Sequence, residues 1–595
     1  NRKADGTPYN IYRDGLKIYT TVNSTMQKYA EQAVQKQMQS VIQPRMDAQY
    51  RNTKTLFIDA TREERERIMR HAIRYSDRYR EMEDAGASAK QIMAAFDKPC
   101  SMKVFTYRGE RDTLMTPRDS ILHHKRIMRA SFVALDPRTG YVKAYVGGPN
   151  FRYFKYDMAK QGKRQIGSTI KPFVYTFAID HLGLTPCTMV PNLPVTIETA
   201  NGTAWSPKEA GKVEYDGVMH PLRWGLARSR NNYSAWIMKQ AKQPAAVADF
   251  IHNMGIRSFI DPVPALCLGS SESNVFELVS AFSTFANEGV HTDPIFVTRI
   301  EDRQGNVIAN FIPQSQDAVS ERTAYTMLTM LQDVVNSGTA GRLKWQFGLN
   351  DMEIGGKTGT SNKNRDAWFM CVAPKLVAGA WVGGEDQAVH FVAGGEGSVM
   401  ALPIVGDFMK RVYDDGRLGL SRNDQFIRPA MMPRYDCDEE TDPEGRVPDA
   451  DDEFVGRVPL PHGRPGGQLL GDLTLQAGLL SGQDAANVVS VGTRLGQECR
   501  GCAQVLHTAR DGSLIGGDGV VVADGLRDLG EVARPGRGHQ RGQGRGLLAV
   551  RSRENAGSGG EPALREQVEE EVVQVRDAIV GEPGRRRAED RHVLP

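Results

Sequence analysis

The sequence of 595 residues lacks any run of 18 or more apolar residues, so it predicts no membrane-spanning helix. It does not begin with methionine, and its first residues, NRKADGTPYNIYRDG, lack the apolar segment of a signal peptide. We therefore expect the sequence to be a piece of a longer protein. The net charge is only +3, so composition gives no indication of a nucleic-acid partner.

Cysteine is scarce and scattered, which predicts no disulfide framework and leaves the redox compartment open. The number of cysteines is odd, and they are Cys100, Cys187, Cys267, Cys371, Cys437, Cys499 and Cys502. The last two have the spacing of a zinc knuckle, but no second pair of ligands accompanies them. We therefore predict no metal site there.

Aromatic residues are absent from the C-terminal part of the sequence. Residues 455–595 contain no Phe, Tyr or Trp, and they also lack Lys and Met. A chain without large apolar side chains has little with which to build a core, so we predict a disordered or out-of-frame tail. Residues 416–454 are predicted to be an acidic, loop-like extension.

The rest of the chain has the composition of a globular protein and is long enough for more than one domain. Residues 1–127 are predicted to be an accessory region, with a strand in DGLKIYTTV, a helix behind a Ser/Thr cap in STMQKYAEQAVQKQM and a solvated charged helix after it. Residues 128–415 have strands at both ends, namely a hairpin in ASFVALDPRTGYVKAYVGG and three buried strands from EIGGKTGTS to AWVGG. Helices lie between them, which indicates an α+β domain whose terminal strands share one sheet.

The stretch QIGSTIKPF contains a serine and a lysine three residues apart. Pro172 fits only the first turn of a helix, so the helix is predicted to begin near Ser168. Ser168 and Lys171 then lie on one face, where free N–H groups of the helix start could stabilise an oxyanion. Taken alone, the pattern favours a plain N-cap and a surface lysine.

Two further stretches favour a catalytic pair over a plain N-cap and a surface lysine. Ser229-Arg230-Asn231 lies in LARSRNNYSAW, and Lys357-Thr358-Gly359-Thr360 lies on a predicted strand. The first pattern is weak, because Ser421-Arg422-Asn423 matches it as well, but that copy follows the lysine motif and has the wrong order. A serine–lysine pair, an SxN triplet and a KTG triplet in this order make coincidence improbable.

At these residues the chain resembles the penicillin-binding proteins, the acyl-serine transpeptidases of peptidoglycan synthesis. DGLKIYTTVNSTMQKYAEQAV is similar to the linker that precedes the transpeptidase domain in their class A, bifunctional members, and ELVSAFSTFANEGV also resembles its family counterpart. The resemblance extends over roughly residues 14–435. It implies the penicillin-binding, serine-transpeptidase fold, in which helices cover a central antiparallel sheet.

The resemblance also implies roles for the motif residues. Ser168 would attack the penultimate D-alanine of a D-Ala-D-Ala stem peptide, with neutral Lys171 as its base. We expect burial and the positive charge of Lys357 to lower the pKa of Lys171. Ser229 and Lys357 would relay a proton to the leaving amine. The predicted substrate-binding residues are Asn231, Thr358, Gly359 and Thr360, the oxyanion hole is the backbone N–H of Ser168 and Thr360, and no cofactor or metal is expected.

The implied partners are peptidoglycan stem peptides, with a D-Ala-D-Ala donor and a diamino-acid acceptor, and β-lactams that acylate the same serine. Cell-wall assembly proteins are further partners of the family. Its class A members also carry a membrane anchor and a glycosyltransferase domain, and neither is expected in this sequence, where the nearest glycosyltransferase-like match, residues 385–390, has the wrong spacing. The resemblance therefore predicts a location on the outer side of the cytoplasmic membrane, with membrane attachment only through the anchor of the complete protein.

Two alternatives stay open at the level of sequence. A DD-carboxypeptidase or serine β-lactamase would share the acylation step and use water as acceptor, and Glu277 is the nearest candidate for activating that water. A non-enzymatic β-lactam sensor or peptidoglycan-binding scaffold would keep a vestigial site. Of the remaining residues, Trp381 is predicted to be core and His123 and His124 a loop pair without a metal.

Overall fold

A computed structural model describes residues 2–437 of the chain, except residues 4, 199–201, 210–214, 434 and 436. All of the described residues belong to one compact unit. Among them no helix is both long enough and apolar enough to cross a membrane. The predicted tail, residues 455–595, and its two cysteines lie outside the described residues, as do residues 438–454 of the acidic extension.

The N-terminal region is mainly helical. Its elements are β1 (Lys17–Thr20), α1 (Ser24–Gln37), α2 (Gln43–Thr53), α3 (Arg62–Arg74), α4 (Asp77–Asp84), α5 (Ala89–Phe96), β2 (Cys100–Val104), β3 (Arg111–Met115) and α6 (Pro117–Arg126). A π-helical turn, Met38–Ile42, joins α1 to α2. The predicted strand and first helix are present, but the helix cap is Asn23, whose side chain accepts from the Met26 N–H at 3.0 Å.

Two details of this region differ from the sequence prediction. The charged segment forms two largely exposed helices rather than one, because Ser76 ends the first and caps the second by accepting from the Tyr79 N–H. His123 and His124 lie on α6 rather than in a loop. His123 is buried and bonds the Phe105 carbonyl through its ring at 2.8 Å, so it has a structural role.

The second region alternates strands with helices. Its first half contains β4 (Arg129–Leu135), β5 (Val142–Val146), β6 (Arg164–Gln165), α7 (Lys171–His181), β7 (Met189–Pro191), β8 (Ile197–Glu198), β9 (Ala204–Trp205), β10 (Met219–Pro221), α8 (Leu222–Ala227), α9 (Asn231–Ala241), α10 (Pro244–Asn253), β11 (Glu272–Ser273) and α11 (Val275–Ala286). Short 3₁₀ helices occupy Gly167–Ile170 and Pro264–Leu268.

The remaining elements close the same region. They are β12 (Val290–Thr292), β13 (Val297–Glu301), β14 (Val307–Asn310), β15 (Ser315–Asp317), α12 (Glu321–Asn336), α13 (Arg342–Trp345), β16 (Gly355–Thr360), β17 (Asp366–Ala373), β18 (Leu376–Gly383), α14 (Gly397–Met400) and α15 (Leu402–Asp414). Short 3₁₀ helices again occupy Asn362–Asn364 and Gly416–Leu418.

A five-stranded antiparallel sheet in the order β16-β17-β18-β4-β5 forms the centre of this region. The predicted hairpin and the three predicted strands therefore meet in one sheet, and the α+β prediction is confirmed. Strands β4, β17 and β18 are buried along their whole length, since helices α1 and α15 pack on one face and α11 on the other. A Cβ on Gly379 would lie 2.6 Å from Val279 of α11, so this glycine lets the helix approach the sheet.

The site depends on the position of β16 in this sheet. Among the described residues β16 pairs with β17 alone and is an edge strand, so its other side is available to the segment that precedes α7. α12 packs against β16 and supports it from behind. The predicted core residue Trp381 is buried, and its indole N–H donates to Asp366 at 3.1 Å.

One disulfide, Cys187–Cys437, joins the segment after α7 to the C-terminal end of the described chain. The prediction from cysteine number and scatter was wrong here, because two cysteines that are 250 residues apart in sequence meet only in the folded chain. Arg223 lies at the same place, donating to the Tyr435 carbonyl at 3.1 Å and pairing with Asp333 at 2.8 Å. Cys100, Cys267 and Cys371 are free thiols.

Candidate active site

Ser168 lies in the 3₁₀ turn that leads into α7. The helix begins one turn later than predicted, at Lys171, with Pro172 in its first turn, where a missing N–H has no cost. The Ser168 side chain is half-buried, whereas Lys171 is fully buried. Within the described part of the chain no hydrogen bond involves the Ser168 hydroxyl, which leaves it free for a ligand.

Two glycines allow this turn to approach its neighbours closely. Gly167 has a φ of +54°, and a Cβ there would lie 2.7 Å from the Thr360 carbonyl oxygen of β16. The Gly167 N–H donates to the Gly269 carbonyl at 3.0 Å, and a Cβ on Gly269 would collide with the Gly167 backbone. The serine turn is therefore fixed between the edge strand and the segment after the Pro264–Leu268 helix.

The residues before the serine tie this turn to the sheet. Arg164 is buried and pairs with Asp366 of β17 at 2.6 Å. The Gln165 carbonyl accepts from the Trp368 indole at 2.9 Å. Arg164 and Gln165 therefore hold the serine turn against β17, and their contacts are with residues outside the three motifs.

Ser229 and Arg230 form the short turn between α8 and α9, and Asn231 begins α9. Ser229 has a φ of +55°, a left-handed conformation that costs a non-glycine residue about 1–3 kcal/mol. Backbone hydrogen bonds hold it there, from the Ser229 N–H to the Leu226 carbonyl and from the Arg230 N–H to the Gly225 carbonyl, both at 2.9 Å. The strained turn directs the Ser229 carbonyl and hydroxyl toward two different lysines.

Lys171 binds this turn through three hydrogen bonds. Its Nζ donates to the Ser229 carbonyl at 2.6 Å, to the Arg230 carbonyl at 3.1 Å and to Asn231 Oδ1 at 2.6 Å. Three acceptors match the three donors of an ammonium group. The contacts therefore fit a protonated Lys171 that is not yet hydrogen-bonded to Ser168.

Lys357 reaches the same turn from β16. Its Nζ donates to Ser229 Oγ at 2.8 Å and to the Thr358 carbonyl at 2.9 Å, and its side chain is fully buried. Gly359 faces the serine turn, since a Cβ there would lie 2.7 Å from Thr169 Cγ2. The three predicted motifs, which are far apart in sequence, thus meet around Ser229.

Burial lowers the pKa of both lysines. The pKa of Lys171 is lowered to about 8, first by burial, while the carboxylate of Glu209 raises it in opposition and Arg230 adds a smaller lowering. The pKa of Lys357 lies well below its ordinary value, again first through burial and then through the charge of Lys171.

The role of burial agrees with the prediction. The charges of Lys171 and Lys357 repel each other, and this repulsion adds to the lowering of the pKa of Lys357. The surroundings of the two lysines differ, because Lys171 has the carboxylate of Glu209 nearby, while in the described structure Lys357 donates to a hydroxyl and a carbonyl.

The predicted substrate-binding residues lie beside this cluster, and those with polar side chains form hydrogen bonds to other residues of the protein. Thr358 Oγ1 bonds Thr339 Oγ1 at 2.8 Å, and Thr360 Oγ1 accepts from the Gly397 N–H at 3.1 Å. The Asn231 amide accepts from Lys171 and donates to the Lys208 carbonyl at 2.7 Å. Their roles toward a substrate stay predictions.

Sequence reasoning missed Glu209, whose carboxylate lies beside Asn231 and acts on Lys171. It belongs to none of the motifs and lies in a segment with weak structural signals, so nothing in the sequence indicated its position. Thr339, which bonds Thr358, was missed for the same reason.

Other candidate residues lie away from the cluster. Glu277 accepts from the Ser258 N–H at 2.8 Å and from Asn274 Nδ2 at 3.0 Å, and it has no contact with the motif residues in the described structure. In the second SRN triplet, Ser421 and Asn423 are exposed and Arg422 pairs with Asp351 at 2.7 Å. The described residues contain no group of three or more side chains suited to hold a metal.

Two models of protein families match consecutive parts of the chain. A model of the penicillin binding protein transpeptidase domain matches residues 130–382, and a model of the penicillin-binding protein middle domain matches residues 52–128. The first of these matches spans the central sheet and all three motifs.

The chain is also similar to curated proteins named penicillin-binding protein 1A. It is 33% identical to the protein from Neisseria lactamica over 292 residues, which are 48% of this chain and 36% of that protein. It is 28% identical to the protein from Aquifex aeolicus (strain VF5) over 417 residues, which are 67% of this chain and 54% of that protein. The chain thus spans about a third to a half of the length of these relatives.

The fold resembles the crystal structure of penicillin-binding protein 1A from Haemophilus influenzae. The TM-score is 0.51 at 22% sequence identity, and the match covers 69% of this chain and 68% of that one. This likeness confirms the predicted fold.

Proposed function

We propose that this chain, which belongs to the penicillin-binding proteins, is a peptidoglycan DD-transpeptidase that works through an acyl-serine intermediate. The observation that carries the proposal is the meeting of Lys171 and Lys357 at Ser229, with Ser168 in the turn that leads into the helix of Lys171. These residues supply a nucleophile, a base and a proton relay.

In the first step, Ser168 Oγ attacks the carbonyl of the penultimate D-alanine of a stem peptide. Its proton passes to neutral Lys171, a small fraction of which exists at neutral pH because the pKa is about 8. The edge position of β16 supports an oxyanion hole formed by the backbone N–H groups of Ser168 and Thr360, since Gly167 brings the two segments together.

In the second step, the tetrahedral intermediate expels the terminal D-alanine. The Ser229 hydroxyl donates its proton to the leaving amine and receives one from Lys357, to which it is hydrogen-bonded. We assign the substrate's carboxylate to Thr358 and Thr360 and its backbone to Asn231. The amine of a second stem peptide then attacks the acyl-serine and loses its proton through Ser229 to Lys357, while Lys171 returns its proton to Ser168 Oγ as the ester bond breaks. This forms the cross-link and restores both lysines.

The proposal extends to inhibitors and location. A β-lactam resembles the D-Ala-D-Ala end, so we expect it to acylate Ser168 and remain attached. We also assign the domain to the outer side of the cytoplasmic membrane. The Cys187–Cys437 disulfide supports an oxidising compartment of this kind.

The test is intact-mass analysis of the protein after treatment with a penicillin, followed by mapping of the modified peptide. We expect one adduct on the peptide that contains Ser168, and none in Ser168→Ala. Labelling of Ser168→Ala to the wild-type extent would exclude Ser168 as the nucleophile. Adding a D-amino acid or diamino-acid amine to the acylated enzyme then separates a transpeptidase, which transfers the acyl group to the amine, from a binding protein, which does not.

A further inference from the structure

Glu209 connects a distant loop to the SRN motif. Its Oε1 accepts hydrogen bonds from the backbone N–H groups of Asn231 and Asn232, both at 2.9 Å, and its side chain is only 8% exposed. These N–H groups belong to the first turn of α9, for which Arg230 supplies no side-chain cap. The carboxylate therefore caps this helix from another part of the chain.

The residue before Glu209 fixes the side chain of Asn231. The Lys208 carbonyl accepts from Asn231 Nδ2 at 2.7 Å, while Asn231 Oδ1 accepts from Lys171 Nζ at 2.6 Å. A carbonyl can only accept and an ammonium can only donate, so these two contacts determine which way the amide points. Lys208 and Glu209 together hold one of the three acceptors of Lys171 in position.

Glu209 also carries a carboxylate whose negative charge raises the pKa of Lys171 against the effect of burial. The other titratable groups near Lys171 lie on different elements: Arg230 in the SRN turn, the buried thiol of Cys267 in the Pro264–Leu268 helix, and Lys357 on β16. Arg230 Nε lies 3.6 Å from Glu209 Oε1 and balances part of its charge. Tyr175, one turn along α7, is fully buried and uncharged.

We propose that Glu209 is a positioning residue of the transpeptidase site. It caps α9 and, with Lys208, holds Asn231 against Lys171, and it places a carboxylate beside the residue that Lys171 contacts. The inference rests on the proposed function, because it assigns the pH at which Ser168 becomes reactive in part to this loop.

The test compares Glu209→Gln with the wild type. Glutamine keeps an acceptor oxygen for both N–H groups but removes the charge. The measurement is the second-order rate constant for acylation by a fluorescent penicillin between pH 6 and 9.5. We expect the ascending limb of the profile to move to lower pH by about one unit, so that the rate at pH 7 rises severalfold.

A matched control is available at another helix. The Glu277 carboxylate likewise accepts from two consecutive backbone N–H groups, those of Arg257 at 3.2 Å and Ser258 at 2.8 Å, and it has no contact with Lys171 in the described structure. Glu277→Gln should leave the profile unmoved. If the Glu209→Gln and Glu277→Gln profiles both superimpose on that of the wild type, the inference is wrong.

A second readout separates this inference from the proposed function. Burial lowers the pKa of Lys171 in the folded state only, so folded and unfolded chains differ in proton binding at this residue. In Glu209→Gln the folded pKa falls further. The variant should therefore gain stability relative to the wild type as the pH rises through about 7 to 8.

Denaturant unfolding at several pH values measures this difference without any labelling. If no form of the protein reacts with penicillin, the proposed function fails, and the unfolding series still decides the role of Glu209. A stability difference that does not change between pH 6 and 9 would overturn it.

Discussion

Lys357 Nζ lies 2.8 Å from Ser229 Oγ, although 128 residues separate the two in sequence. The contact joins the edge strand of the central sheet to the strained turn before α9. It also brings Lys357 near Lys171, which binds the carbonyl of the same serine at 2.6 Å. Lys171 and Lys357 thus contact different atoms of the same serine, and burial lowers the pKa of both lysines.

Ser229→Ala should lower the acylation rate by about a hundredfold or more, because it removes the hydroxyl that we propose as the proton donor to the leaving amine. The rate of labelling by a fluorescent penicillin measures this effect. Ser421→Ala is the matched control, since it changes the serine of the exposed second SRN triplet and should label at the wild-type rate. Equal rates for the two variants would exclude a role for Ser229.

The acylation rate of the wild type should rise about tenfold per pH unit up to about pH 8 and then level off. The reason is that neutral Lys171 is the proposed base, and burial lowers its pKa to about 8. Stopped-flow or quenched labelling across pH 6–9 provides the profile. A flat profile below pH 8 would contradict the assignment of Lys171 as the base.

Gly359→Ala should reduce acylation at least tenfold and destabilise the protein by about 1–3 kcal/mol. The added methyl group would lie 2.7 Å from Thr169 Cγ2 and 3.0 Å from the Ile166 carbonyl oxygen, so β16 would move away from the serine turn. Labelling rate and denaturant unfolding measure the two effects. Gly416→Ala is the control, because its Cβ would meet nothing within 4 Å, and a Gly359→Ala variant that behaved like it would disprove the close contact.

Loss of the Cys187–Cys437 disulfide should destabilise the folded chain by about 2–5 kcal/mol. Cys187→Ala removes the bond and should lower the thermal midpoint. Cys100→Ala changes a free thiol and serves as the control. A thermal midpoint that is the same in both variants would indicate that the bond makes no contribution to stability.

Much of the fold could be predicted from local patterns. The apolar runs of β4, β17 and β18 are typical of strands that are buried on both faces. Their position at the centre of one sheet could therefore be predicted. The charged helix before them was predicted as one element, because a single serine at position 76 carries little signal, although its hydroxyl both ends one helix and caps the next. The resemblance to the penicillin-binding proteins, too, was found in the sequence, from the three motifs and from longer stretches outside them.

The proton balance of the site could not be predicted in the same way. How readily each lysine keeps its proton depends on the acceptors that its ammonium group reaches. Lys171 reaches three acceptors, and Lys357 reaches two. The contribution of Glu209 depends on the path of a loop that has no recognisable pattern. The roles of Thr358, Thr360 and Asn231 toward a substrate stay predictions, as do the domain boundaries.

The sequence by itself determined the elements and the family, because apolar periodicity, proline and glycine act within a few residues of their own position. Only the tertiary structure decided how Lys171, Ser229, Lys357 and Glu209 interact with one another, and which two cysteines form a disulfide. The physical reason is that burial and electrostatic interaction depend on distance in space, and these residues become neighbours only when the helices and the edge strand pack together.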